Sequence, residues 1–94
     1  MNDKKNFALC EGRHEMPKEV SGAVFTNTIN PLDVEGLEKV ASEKLADVQQ
    51  LTLYVTGLTV ALVAVINVCH EKGIELTLMH FDKVAGNYYQ QLVK

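Results

Sequence analysis

The chain has 94 residues, 47% of them hydrophobic and 22% charged, with a formal net charge of −3 at pH 7. That length predicts one domain spanning residues 1–94 with a single core, and the composition excludes wholesale disorder. The acidic balance argues against a binder of duplex nucleic acid, which needs a basic face. It leaves room for a small phosphorylated ligand held by a few backbone groups.

Met1–Asn6 (MNDKKN) is charged and expected to be frayed. Only a short apolar run follows it, so no secretory leader is expected. Phe7–Cys10 suits an interior strand, and Glu11–Glu15 reads as a polar loop. Pro17 is placed to open one helical turn through Val20, which Ser21-Gly22 breaks. Ala23–Phe25 is a second short strand, leading into Thr26–Asn30, a stretch of small hydrogen-bonding side chains.

Asn30-Pro31-Leu32-Asp33 reads as a helix start, with Asn30 as N-cap and Pro31 at the first position. The helix is expected to run to about Ala46. Leu37, Val40, Ala41 and Leu45 form its apolar stripe, and Glu35, Glu38, Lys39, Glu43 and Lys44 its wet side.

Leu51–Gly73 (LTLYVTGLTVALVAVINVCHEKG) is the most apolar stretch. It reads as a buried strand (Leu51–Val55), a tight turn (Thr56–Thr59) and a buried helix (Val60–Lys72) closed by Gly73 at C′. Leu51 to Cys69 carries no charge and approaches the length of a bilayer span. Thr52, Thr56, Gly57, Thr59 and Asn67 interrupt it, however, and its first part alternates with the strand period. The expectation is a soluble, cytoplasmic protein with no membrane partner. Val60–Val68 leaves the helix without a polar face, which predicts self-association through it, as a homodimer or larger.

Ile74–Phe81 alternates, with Ile74, Leu76, Leu78 and His80 on one face and Glu75, Thr77, Met79 and Phe81 on the other. Asp82–Gly86 has hairpin length, and Asn87–Val93 returns as an antiparallel edge strand. The element order predicts a small layered α/β fold: a mostly parallel sheet with a C-terminal antiparallel hairpin. Cys10 falls in a strand and Cys69 in the apolar helix, so both are expected to be reduced core thiols.

Thr56-Gly57-Leu58-Thr59 carries the main functional expectation. Gly57 lets the backbone approach an anion, Thr56 and Thr59 add hydroxyls, and the first free amides of the helix supply positive dipole charge. The same residues also suit a plain turn and cap. The lysine and spacing of a Walker loop are missing. The segment LYVTGLTVAL resembles the second ligand-binding loop of CARF domains, the Rossmann-like sensors of cyclic oligoadenylates related to ring nucleases. The resemblance covers about 20 residues. It departs at Leu58, where that family has a second glycine, and at Val60, where lysine or arginine is common. It implies a Rossmann-like fold, a cyclic-nucleotide messenger of defence signalling as ligand, and a site shared across a two-fold dimer.

Gly12-Arg13-His14 follows the first strand at the same sheet edge as the Thr56 turn. There Arg13 suits a phosphate clamp and His14 a donor, or the loop is simply solvated. Asn27, Thr28 and Asn30 follow the second strand, placed either to read a base or ribose or to form a turn. His80, two residues before Asp82, offers an acid–base pair or a capped hairpin end. Tyr88-Tyr89 offers a stacking platform or edge packing. No Cys/His group has zinc spacing, and neither a metal nor a cofactor is expected.

The expected function is binding of a nucleotide-like small molecule, as a sensor or sequestering protein, through Gly12, Arg13, His14, Asn27, Thr56, Gly57, Leu58 and Thr59. Two alternatives stay open. One is a metal-independent phosphodiesterase of ring-nuclease type using His14 or His80 as acid. The other is a structural or protein-inhibiting module whose apolar helix is the interface.

Overall fold

The computed structural model describes residues 4–11, 16–26, 30–56 and 59–93. Five strands and two helices follow in order: β1 (Lys4–Cys10), β2 (Gly22–Phe25), α1 (Val34–Lys44), β3 (Gln50–Tyr54), α2 (Thr59–Lys72), β4 (Glu75–Asp82) and β5 (Asn87–Leu92). The strands form one sheet in the order β2-β1-β3-β4-β5. β1 pairs in parallel with β2 and β3, β3 pairs in parallel with β4, and β5 returns antiparallel on β4. The fold is therefore α/β, mostly parallel, with the C-terminal antiparallel hairpin that the sequence predicts.

The steps from β2 through α1 to β3, and from β3 through α2 to β4, run in one direction across the sheet. Right-handed crossovers then set both helices on the same face, against each other. Leu9, Leu51, Leu53, Leu76 and Leu78 line that face, and none is more than 4% exposed. With Leu37, Ala41 and Leu45 from the α1 side and Ala61, Val65 and Val68 from α2, they make a single core. The step from β1 to β2 runs the other way, so residues 16–21 cross the opposite face. There the Tyr88 hydroxyl lies 4.0 Å from the Met16 sulfur.

Three local expectations change. Residues 4–6 are strand rather than frayed end: Lys4, Lys5 and Asn6 pair with Gln50, Leu51 and Thr52, because a ladder satisfies backbone groups whatever side chains flank them. α1 begins later than predicted. Asp33 is its N-cap, accepting the Gly36 N–H at 3.0 Å, while Asn30 closes a preceding turn by accepting the Leu32 N–H. A Cβ at Gly36 would crowd the Asp33 carboxylate in the orientation it adopts here. Val40 lies outside the buried stripe at 45% exposed, while Leu37, Ala41 and Leu45 stay buried.

α2 ends as expected. Gly73 takes φ +71°, the Ile74 N–H reaches the Cys69 carbonyl at 2.9 Å, and the Gly73 N–H reaches the His70 carbonyl. This is a Schellman close, which needs the left-handed residue that glycine supplies. The Pro17 turn is also present, with the Val20 N–H bonded to the Pro17 carbonyl. At the hairpin the Asp82 carboxylate accepts the Val84 and Ala85 N–H groups, and Gly86 sits at φ +74°.

Candidate functional site

β1 and β3 lie side by side at the centre of the sheet, and their following connections leave over opposite faces. In an open parallel sheet this switch point, outside the carboxyl ends of the strands, is where a crevice forms and ligands collect. The sequence reading assigns the site to this edge. Thr56 leaves the end of β3 there, and Thr59 begins α2 and is exposed. Gly12, Arg13, His14, Asn27, Gly57 and Leu58 lie outside the described residues.

Thr56 does a job that the sequence did not reveal. Its side chain is 3% exposed, and its hydroxyl accepts the Cys10 N–H at 3.3 Å and donates to the Cys10 carbonyl at 3.4 Å. This bond continues the joining of β1 to β3 beyond the last backbone pair, Ala8 with Tyr54. Meanwhile the Val55 N–H reaches across to the Met79 carbonyl on β4. The hydroxyl therefore holds the two strand ends in register at the carboxyl edge of the sheet. Thr59 is the one described hydroxyl of the turn that faces water.

An aromatic group beside this edge was also missed. On the face away from the helices, Tyr54 and Tyr88 stack edge-on with centroids 5.0 Å apart, and Phe81 packs on Tyr88 at 5.2 Å. Tyr54 is 5% exposed, and its hydroxyl pKa lies above the usual tyrosine value. Burial is the main cause, and the charge of Glu19 and the neighbouring Tyr88 add to it. The available signal was the alternation Leu51-Thr52-Leu53-Tyr54, which turns Tyr54 away from the leucines. Tyr88 of the predicted stacking pair belongs to this group. Tyr89 lies on the other face, 5.3 Å from the His80 ring.

His80 bonds through Nε2 to the Gln91 side chain at 2.8 Å, while one Asp82 oxygen caps the hairpin turn. The predicted His80–Asp82 pair is thus occupied on both sides by structural partners. Cys10 and Cys69 are buried, reduced thiols. Burial pushes the Cys69 pKa up to about 11, the reverse of an activated nucleophile. Among the described residues, no group of His, Cys, Asp and Glu is arranged to hold a metal ion.

A groove of about 620 Å³ lies at the other end of the sheet, between Lys4, Gln50, Lys72 and Glu75. Gln50 donates a hydrogen bond to Glu75 there. The C-terminal end of α2, at Lys72 and Gly73, lies at this groove. The carbonyls and negative dipole end of a helix C-terminus disfavour an anion, so the carboxyl edge of the sheet is the stronger anion site on chemical grounds. A second groove, lined by Val24, Phe25, Leu37 and Val40, runs between β2 and α1. No helix among the described residues is long and apolar enough to cross a membrane. The chain matches no protein-family model, no curated protein and no solved structure.

Proposed function

We propose that the chain binds a phosphorylated small molecule, of the nucleotide or cyclic-nucleotide class, at the carboxyl edge between β1 and β3. The observation that supports this most is the switch point itself, with the start of α2 and the exposed Thr59 opening onto it. The helix amides favour an anion there, and Arg13 and His14 follow β1 in sequence. Phe81, exposed and packed on the half-buried Tyr88, offers ring surface against which a base can pack nearby.

Binding is preferred over turnover because His80, the candidate acid among the described residues, is engaged with Gln91 and the Cys69 thiol stays protonated. A sensor or a sequestering protein fits this chemistry. The test is a thermal-shift panel of linear and cyclic nucleotides on wild type, Arg13→Ala and Thr59→Val. Ligand at a hundred times its dissociation constant stabilises by about 2.7 kcal/mol, several degrees for a domain of this size. A shift that vanishes in both variants, with intact nucleotide recovered, supports the reading. Recovery of a cleaved nucleotide replaces it with the phosphodiesterase, whose acid His14→Ala then removes. A flat panel rejects it in favour of the structural module.

A further inference from the structure

β5 is one outer edge of the sheet, and its hydrogen-bond phase defines what that edge presents. The Val93 N–H donates to the Leu76 carbonyl at 2.9 Å. Antiparallel pairs alternate, so Asn87, Tyr89 and Gln91 also direct their backbone groups at β4, opposite Asp82, His80 and Leu78. Tyr88, Gln90 and Leu92 therefore point their N–H and C=O groups out of the sheet.

Edges of this kind are ordinarily blunted by lysine, proline, a bulge or shortness. Residues 87–93 (NYYQQLV) contain no charged residue and no proline, and the ladder with β4 runs unbroken through six pairs. The opposite edge, β2, has four residues. Leu92 and Tyr89 are 72% and 56% exposed on β5, although both are apolar or aromatic. By contrast, α2 is covered within the single chain more fully than its composition predicts. Ala61, Ala64, Val65, Val68 and Cys69 are buried, and Val63 is the large apolar side chain left exposed on it.

We infer that β5 is a self-association edge, pairing antiparallel with β5 of a second copy about a two-fold axis through Gln90, so that two five-stranded sheets join into one. The register follows from two requirements. A two-fold axis perpendicular to the sheet sets opposite each other only residues that share a face, and outward backbone groups must meet outward backbone groups. Centring on Gln90 satisfies both with the greatest overlap. Gln90 faces Gln90 of the partner subunit, Tyr88 faces the partner's Leu92, and about six main-chain hydrogen bonds form. Between them Tyr89 faces the partner's Gln91, and no like charges oppose each other anywhere in the run. That absence of charge is what favours a second copy over a charged peptide as the occupant.

The test is the solution mass by light scattering across a micromolar dilution series, with circular dichroism to confirm folding of each variant. Wild type is expected at twice the chain mass at the top of the series. Gln90→Lys sets two ammonium groups against each other on the axis and is expected to return the monomer. Gln91→Lys, whose partner is a tyrosine, leaves much of the dimer. Gln90→Cys is expected to cross-link into a covalent dimer on mild oxidation, whereas Tyr88→Cys, which faces a leucine, is not. This readout stands even if the lysine variant folds poorly. A monomeric wild type overturns the inference. So does a dimer that survives Gln90→Lys and is lost in Val63→Lys, which moves the interface to α2. None of these outcomes depends on the nucleotide reading.

Discussion

The two faces of the sheet use the same strands for different ends. On the helix side, alternate residues are leucines sealed beneath α1 and α2, with Leu53 and Leu9 fully buried. On the other side, Ala8, Cys10 and Tyr54 are also buried, but Thr52, Thr77, Met79 and Tyr88 are half-buried and Phe81 is exposed. One face is roofed by two helices, and the other, under a short segment, keeps aromatic and polar groups partly exposed. The contrast follows from chain direction. Two crossovers share one sense and stack their helices, while the β1–β2 step, in the opposite sense, brings only a short turn-forming segment.

The sharpest way to break this contrast is to truncate one residue on each face of β3. Leu53→Ala is expected to cost about 2–5 kcal/mol in denaturant melts, because the packed helix layer cannot collapse into the cavity. Thr52→Ala, half-exposed on the other face, is expected to stay within about 0.5 kcal/mol. Equal losses at both positions would mean that the second face is covered as tightly as the first.

Alkaline pH sharpens the comparison. Cys69 on the helix side titrates at about 11, raised by burial, against 9.0 for the ordinary thiol. Below pH 9 the thiol is protonated in both folded and unfolded chains and contributes no slope. From pH 9 to about 11 the unfolded chain ionises first, so stability falls, by about 2–3 kcal/mol at the upper end. Cys69→Val is expected to flatten that fall, and urea melts at pH 8 and pH 10.5 read it. Tyr54 on the other face adds a loss in the same direction, beginning above pH 10.

Smaller effects separate the strand ends from the helix layer. Thr56→Val keeps the shape but removes both bonds to Cys10, and is expected to cost about 1–2 kcal/mol. Amide exchange checks its location, because protection at Cys10 should drop more than at Leu53. Asp33→Ala removes the α1 cap and is expected to cost about 1 kcal/mol in thermal melts. A loss near zero would show that the Asn30 turn, rather than Asp33, starts the helix.

Much of this molecule was legible in its residues. The alternation within 51–55, the glycine at 73 and the alternation of 74–81 marked β3, α2 and β4 to within a residue or two, because each is set by local periodicity and turn chemistry. The hairpin was readable for the same reason, since Asp82 and Gly86 carry their own turn geometry. Harder cases were those in which two local signals competed. Asn30 and Asp33 are both good caps, and only the chain path past Gly36 selects the second.

The full strand order and the coverage of each face and edge were decided by tertiary structure. Lys4–Asn6 look like a frayed end until β3 supplies hydrogen-bond partners, and Thr56 looks like a ligand hydroxyl until Cys10 is brought beside it. These two residues are 46 positions apart, and no local pattern encodes their contact. The same holds for the coverage of α2 and for the phase of β5. Sequence periodicity states which side chains share a face. Which face is roofed, and which edge is left open, depends on the sense of crossovers between distant strands.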